Sequence, residues 1–349
     1  MLQPSRHFEE PETKRRFHNL LSACGYLDKM TKIEPRYATE SEIAMFHTTE
    51  YIAKVKEASA RGGGDLGFQA VSGPGSFEIA ALAVGGCFSA VDAILNPKSA
   101  TPVRHAYALV RPPGHHAESY RGMGYCIFNN NALAVRYAQK TYGIKRAVLL
   151  DWDVHHGNGC QECFYKDKDV LYISIHQRKN YPVDTGEICE NGEGEGLGYN
   201  INIPLPPGSG QGAYSEAFHR VIMPAIRVFA PEMIFVSSGY DPAFFDPLGS
   251  MMLSSTDFGY FTKLVKDYTD AKCGGKLLVV HEGGYSREVV PFCGLAVLEE
   301  LTGIESGVTD PFAAEVAGLG EQELQPHQDS RIKECEALLE KLNEALKRA

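Results

Sequence analysis

The feature that most constrains this chain is the way its apolar runs end. Five short runs rich in β-branched residues are bounded by turn residues: HAYALVRPPGHH (105–116), AVLLD (147–151), VLYISIH (170–176), MIFVSSGYD (233–241) and KLLVVHEGGY (276–285). Their apolar stretches are continuous and not alternating, which fits strands buried on both faces. Helical patterns such as NNALAVRYAQKTYG and AYSEAFHRVIMPAIRVFA lie between most of them. Strands alternating with helices imply right-handed crossovers and a parallel sheet. The expected fold is therefore α/β, a single domain whose central, mainly parallel sheet carries helices on both faces. Ligands of such sheets sit beyond the carboxyl ends of the strands. The runs deliver His115-His116, Asp151, Asp241 and Gly283-Gly284-Tyr285 to that edge, and LLDWDVHHGNG (149–159) drives an apolar strand into Asp151, Asp153, His155 and His156.

Other local signals fill in the frame. Pro11 opens a helix over ETKRRFHNLLSACG that stops at Gly25. Thr39 and Glu42 have capping-box spacing ahead of IAMF, and Ser76 starts an Ala-rich helix closed by Asn96 and Pro97. RGGGDLG (61–67) reads as a loop. No Pro-, Gly- or Ser-rich linker divides the chain, so one catalytic domain is expected over 5–320. An amphipathic helix follows over 321–349, with Ile332, Cys335, Leu338, Leu339, Leu342 and Leu346 on one stripe. That stripe is read as packing on the domain, with a homo-oligomer contact as the alternative.

Composition excludes some functions. With 349 residues, 44% hydrophobic and 22% charged, the chain is ordinary globular material. A formal charge of -10 argues against direct nucleic-acid binding but tolerates basic partners such as lysine-bearing peptides. No apolar run is read as long enough to cross a bilayer, and MLQPSRHFEEPETKRRF has no secretory core segment. Nine cysteines, an odd number in a large chain, point to a reducing, cytoplasmic setting. Cys160 and Cys163 read as two cysteines on a helix, since no second pair with zinc-ribbon spacing follows.

The spacing in DWDVHHGNG carries chemistry. Residues two apart on an extended segment point the same way, so Asp151, Asp153 and His155 are expected to share one side. Carboxylates that close require a cation between them. One Asp, one His and Asp241 make a three-ligand set with an open position, the mark of a catalytic zinc. His115 and His116 then supply a general base and acid, oriented by an acid at 151 and an amide at 158. Tyr285 is placed to donate to an oxyanion. Taken singly, a strand-end Asp is a helix cap, a lone His a core residue and GGY a turn. Convergence on one sheet edge is what makes a site.

RPPGHHA (111–117), GMGYCIFNN (122–130), DWDVHHGNG (151–159), SSGYDPAFFDPLG (237–249) and HEGGYS (281–286) resemble the zinc-dependent histone deacetylase superfamily, with its arginase/deacetylase-like fold. GYNINIPLPPGSG (198–210) and PFCGLAVLEELTG (291–303) give the pattern of its class II-like bacterial members, the histone deacetylase-like amidohydrolases. The resemblance implies that Asp153, His155 and Asp241 hold one zinc. It makes His116 the general base and then acid, and His115 an electrostatic partner bonded to Asp151. Asn158 would orient His116 where class I relatives carry Asp, and Tyr285 would polarise the scissile carbonyl. Gly124 and Tyr125 match one channel wall, Tyr181 is the candidate for the other, and Leu248 lies at the rim. A structural potassium ion would use Asp151, Asp153 and His155 with Ser174 and backbone at Ile175. A second would use backbone at Phe164 and Val170 near Tyr199. Family members also carry a strand and loop ahead of the segment aligned with Ser5, an edge element expected to be missing here.

The implied reaction is hydrolysis of an acyl-lysine amide in a peptide or protein, or of a small acyl amide. An acetylpolyamine deacetylase is the alternative; polyamine-selective relatives carry an acid where this chain has Leu248. An arginase-like enzyme would need a second paired-acid motif, and SSGYDPAFFDP offers Asp241 with Asp246 five residues on. A non-catalytic zinc-bound acyl-lysine scaffold would not need His115, His116 and Tyr285.

Overall fold

The computed structural model describes residues 7–100, 102–320 and 322–348. Its strands are β1 (Gly64–Gly67), β2 (Ala70–Ser72), β3 (His105–Ala108), β4 (Ala147–Asp151), β5 (Val170–Gln177), β6 (Asn200–Leu205), β7 (Met233–Ser238) and β8 (Leu277–His281). The central sheet has the order β3-β8-β7-β4-β5-β6 with every neighbouring pair parallel. The helices are α1 (Glu12–Ala23), α2 (Glu40–Ile43), α3 (Thr49–Ala60), α4 (Ser76–Leu95), α5 (Asn130–Tyr142), α6 (Asn158–Phe164), α7 (Gln211–Ala217), α8 (Met223–Phe229), α9 (Ser255–Lys272), α10 (Val290–Thr302), α11 (Ala313–Ala317) and α12 (Pro326–Arg348).

Both sheet faces are buried, which explains the continuous apolar runs. Val148, Leu150, Ile173, Val236 and Val279 join one core cluster, while Leu149, Tyr172, Phe235 and Val280 join the cluster on the other face. The strands stop sooner than the runs that announced them: β3 ends at Ala108, β7 at Ser238 and β8 at His281. Past those points the chain has no neighbouring strand, and the polar residues sit on the loops that follow.

Several local readings need correction. Residues 61–67 are not all loop, because β1 pairs antiparallel with β2 in a small hairpin. The strand β6 carried no long β-branched run, yet its period-2 alternation was there. Ile201, Ile203 and Leu205 enter the core, while Asn200 and Asn202 face away and donate to Gln161 Oε1 at 2.9 and 2.8 Å. Pro204, which cannot donate to a ladder, sits on this edge strand. The capping box forms at Thr39 and Glu42, but the helix it opens ends at Ile43 and does not run through IAMF. The 211–229 pattern is helical with a π-helical turn at Phe218–Ile222, directly before Pro224. A proline ring strikes the carbonyl four residues back in a regular helix, and a widened turn relieves the clash.

By length and composition α4 is apolar enough to cross a membrane, contrary to the sequence reading, although 56% of it is buried inside the protein. It packs on α3, α5, β3 and β8. A helix apolar on most of its surface is accommodated in this way, as a core element. The C-terminal helix α12 lies on β6, α7, α8 and the π-helical turn, with Ile332, Cys335, Leu338 and Leu342 buried and Leu339 and Leu346 partly so. The expected domain start at Ser5 and the boundary residue at 321 lie outside the described residues. Among those described, all nine cysteines are free.

Candidate functional site

The site starts at the register of β4. Its last residue, Asp151, lies opposite Ser174 of β5 and Ser237 of β7, so a carboxylate emerges between two strands that each offer a hydroxyl. Beyond Asp151 the chain is not extended, as the sequence reading had it. It winds through successive turns in which each carboxylate accepts the N–H two residues on: Asp153 N–H to Asp151 Oδ1 (3.2 Å) and His155 N–H to Asp153 Oδ1 (3.0 Å). Such side-chain to backbone turns are what Asp favours. They still gather Asp151, Asp153 and His155 into one cluster, and Asp241 joins from the loop after β7.

Asp153, His155 and Asp241 each offer one ligand atom, and these atoms lie within 4.8 Å of one another. His155 Nδ1 is 3.0 Å from Asp153 Oδ1 and 3.1 Å from Asp241 Oδ2. The remaining carboxylate oxygens are fixed by backbone: Gly283 N–H donates to Asp153 Oδ2 (2.8 Å) and Val154 N–H to Asp241 Oδ1 (2.8 Å). Asp241 Oδ2 is buried and makes no well-formed hydrogen bond. Glycine is required here, since a Cβ on Gly283 would stand 2.3 Å from Asp241 Oδ2 and 2.7 Å from Asp153 Oδ2. Burial pulls the His155 pKa down, but Asp241 and Asp153 outweigh it and push it up to about 10. Two buried carboxylates demand a positive charge, and a proton on His155 is the smallest that serves. An orphaned carboxylate oxygen and an N/O/O donor set with room for a further ligand fit a catalytic zinc.

The two neighbouring histidines face opposite electrostatics. His115 Nδ1 lies 3.0 Å from Asp151 Oδ2, and its Nε2 is 3.7 Å from Asp153 Oδ1. Burial disfavours its charge, but Asp153 and Asp151 together push its pKa up to about 10. His116 Nδ1 meets the neutral Asn158 Oδ1 at 2.8 Å. Burial, then the charges of His115 and His155, hold its pKa well below the usual range. One imidazole is thus kept cationic and the other neutral, with their ring centres 4.0 Å apart. His156, the remaining histidine of DWDVHHGNG, serves the structure: its N–H donates to Tyr181 O (3.1 Å) and its ring bonds Thr185 Oγ1 and Gln161 Oε1.

Tyr285 follows Gly283 and Gly284 on the loop after β8. Burial, reinforced by Asp241, raises its phenol pKa well above normal, so it keeps its proton. Its edge meets Tyr125 with centroids 6.0 Å apart. Gly124 has φ +50°, and a Cβ there would stand 2.4 Å from His116 Cδ2 and 2.9 Å from the Tyr181 ring. Tyr181 stands edge-on to His116 (5.0 Å) and His155 (6.1 Å). Leu248, half-buried, accepts Asn180 Nδ2 at its carbonyl (3.0 Å). The expected catalytic, channel and zinc residues therefore meet in one place.

The residues expected around potassium divide. Asp151 and Ser174 are adjacent at the carboxyl edge, whereas Val170 begins β5 at its far end, with Phe164 closing α6 and Tyr199 preceding β6. The Tyr199 hydroxyl is buried without a hydrogen-bond partner among the described residues.

Sequence reasoning missed four contributors. Glu282 is buried and accepts the N–H groups of Gly114 (2.6 Å) and His115 (3.1 Å), fixing the backbone that carries the two histidines. Asp246, considered only as a second metal acid, instead accepts the N–H groups of Leu248 (2.9 Å), Tyr285 (2.6 Å) and Ser286 (3.2 Å). Glu118 accepts from Asn158 Nδ2 at 2.8 Å. Phe68, 59% exposed on the β1–β2 hairpin, stacks on Tyr181 at 6.1 Å. The available signal was an acid beside each named motif: HHAES, DPLG and HEGG.

Residues 7–301 match the histone deacetylase domain family. The chain is 45% identical over 305 residues to the histone deacetylase-like amidohydrolase of Pseudomonas aeruginosa, covering 87% of this chain and 79% of that protein. It is 38% identical over 286 residues to a probable deacetylase of Archaeoglobus fulgidus, covering 81% and 78%. The crystal structure of the HDA15 HD domain superposes with a TM-score of 0.86 at 30% identity, covering all of this chain and 93% of that one.

Proposed function

The chain belongs to the histone deacetylase domain family, whose relatives here are deacetylases and amidohydrolases, and from that premise we propose a zinc-dependent deacylase acting on the side-chain amide of acyl-lysine in peptides or proteins, or on small acyl amides. The observation that carries the reading is the pairing of a buried, under-bonded Asp153–His155–Asp241 trio with a neutral His116 beside it. Zinc held by those three residues would polarise the scissile carbonyl and acidify a water.

The chain's own residues do the rest. With Asn158 Oδ1 accepting from Nδ1–H, His116 presents Nε2 as the base that takes the proton of the attacking water. It then returns that proton to the departing lysine amine. Tyr285 donates its phenolic proton to the carbonyl oxygen as charge gathers there. His115, held by Asp151 at 3.0 Å, orients its ring beside the base. Gly124, Tyr125 and Tyr181 line the approach and exclude water around the lysine stem. We include a structural potassium ion at Asp151 and Ser174 in the reading, and a second near Tyr199, whose hydroxyl has no hydrogen-bond partner among the described residues. The free thiols support a reducing, cytoplasmic setting. The reading expects no nucleic-acid or membrane partner.

The test is amine release from an acetyl-lysine peptide and from an acetylated polyamine, side by side, on zinc-loaded protein. Peptide turnover abolished by a chelator supports the reading. Preference for the polyamine keeps the chemistry and overturns the substrate. Silence on both with one zinc bound overturns the acetyl-lysine assignment.

A further inference from the structure

The base reading of His116 raises a question that a carboxylate partner would not. A primary amide has one acceptor face and one donor face of nearly equal shape. With Oδ1 of Asn158 toward the ring, Nδ1 of His116 carries the proton and Nε2 is free. With Nδ2 toward the ring, Nδ1 must accept, the proton moves to Nε2, and the base is blocked. An Asp would leave no such choice. Asn158 does, so something in the chain must hold its amide one way round.

Glu118 is built to do so. Its Oε1 accepts from Asn158 Nδ2 at 2.8 Å, and a carboxylate presents no donor, so only the NH2 can face it. Arg121 grips the same carboxylate through Nε to Oε2 (2.6 Å) and Nη2 to Oε1 (3.2 Å). The backbone of Glu118 is pinned as well: its N–H donates to Arg121 O (3.1 Å) and its carbonyl meets His47 Nδ1 (3.0 Å). The other acceptors near Nδ2, His116 O and Met123 Sδ, lie at 3.4 Å and are weak. Asn158 and Glu118 both line an open cleft of about 810 Å³. Water there can donate or accept, so solvent selects neither orientation.

We propose that Glu118 is a positioning residue: it fixes the Asn158 amide and, through it, the Nδ1–H tautomer of His116. This rests on His116 serving as the base of the deacylation. The wrong-tautomer loss known for catalytic histidines shows how much such a choice can matter.

The experiment uses the full, zinc-loaded chain with three variants. Glu118→Ala removes the acceptor, Glu118→Gln offers either an acceptor or a donor, and Glu118→Ala combined with Asn158→Asp makes the partner of His116 acceptor-only without Glu118. For an acetyl-lysine peptide, Glu118→Ala should lose about tenfold in kcat, part of the roughly 10²–10⁴ a positioned base contributes. KM should stay within about twofold. Glu118→Gln, whose amide can turn either face toward Asn158, should fall between wild type and Glu118→Ala in kcat, and the double variant should return the His116 proton to Nδ1. Imidazole ¹⁵N spectra, with zinc content and thermal stability measured alongside, should show His116 protonated on Nδ1 in wild type and shifting toward Nε2 in Glu118→Ala. A folded Glu118→Ala that keeps Nδ1–H and wild-type kcat overturns the proposal. So does a folded double variant in which Nδ1 of His116 stays bare. Should wild type not turn over acetyl-lysine at all, the functional reading falls, and the ¹⁵N spectra still decide whether Glu118 sets the tautomer.

Discussion

The metal-side apparatus and the channel wall touch through His116, yet they are made differently. Asp151, Asp153, Asp241 and His115 are at most 2% exposed and bonded to backbone or to one another, with Asp151 at the end of β4 and the others on the loops that leave β4, β7 and β3. The proposed wall is Gly124, Tyr125, Tyr181, Leu248 and Phe68, drawn from loops and a hairpin. That hairpin is strapped on by backbone bonds, Gly122 N–H to Leu66 O (3.1 Å), Gly124 N–H to Phe68 O (3.0 Å) and Tyr125 N–H to Gln69 O (3.0 Å). The lesson is a division of labour: charge is placed by buried loops anchored directly on the carboxyl edge of the sheet, where displacement is costly, and shape is placed by more exposed loops and a hairpin.

Four changes test that division, and the first should have the largest effect. Asp241→Ala removes one of three ligands. Metal analysis should find bound zinc falling from one per chain toward none, with activity below about a thousandth of wild type. Chelation of the wild type should lower its Tm, because an ion that binds only the folded state stabilises it by about 4 kcal/mol at a thousand times Kd. Tyr285→Phe comes next: kcat should drop by about 10²–10³ with zinc retained, the usual consequence of removing one oxyanion donor. Near wild-type turnover would remove Tyr285 from the mechanism. Gly124→Ala tests the seam between the two regions. A methyl 2.4 Å from His116 Cδ2 must displace the ring or the loop, so kcat should fall by about tenfold, with about 1–3 kcal/mol lost in stability on denaturation. An unchanged kcat would show the wall moving independently of the base. Phe68→Ala should be the mildest. Losing an aromatic stack worth about 0.5–1.5 kcal/mol should raise peptide KM by about three- to tenfold and leave kcat alone. A fall in kcat instead would mean that the hairpin reaches the chemistry.

The same division explains what the sequence disclosed. The strand ends were legible because a buried parallel strand writes its register into a short apolar run, and because Asp-x-Asp-x-His is a local pattern. What the carboxylates do there was harder to see, since the turns after Asp151 replace the extended geometry that spacing suggests. Strand β6 escaped notice because one of its two buried faces is polar, with its asparagines hidden in side-chain bonds to Gln161. The supports Glu282 and Glu118 act across long stretches of chain, with separations of 168 between Gly114 and Glu282 and 40 between Asn158 and Glu118. No spacing rule reaches that far. Phe68 directly follows the stretch 61–67 whose glycines read as a loop, and only the pairing of β1 with β2 gives it an address.

One consequence follows from Asp151 standing between Ser174 and Ser237. Side chains on a strand alternate faces, so a slip of one residue would turn that carboxylate into the apolar layer beneath the sheet. A misaligned molecule would therefore not be a slower catalyst. It would lack the carboxylate that bonds His115, with the turns that carry Asp153 and His155 displaced, so under the proposed zinc reading the bound-metal count of a preparation would serve as a census of correctly assembled chains.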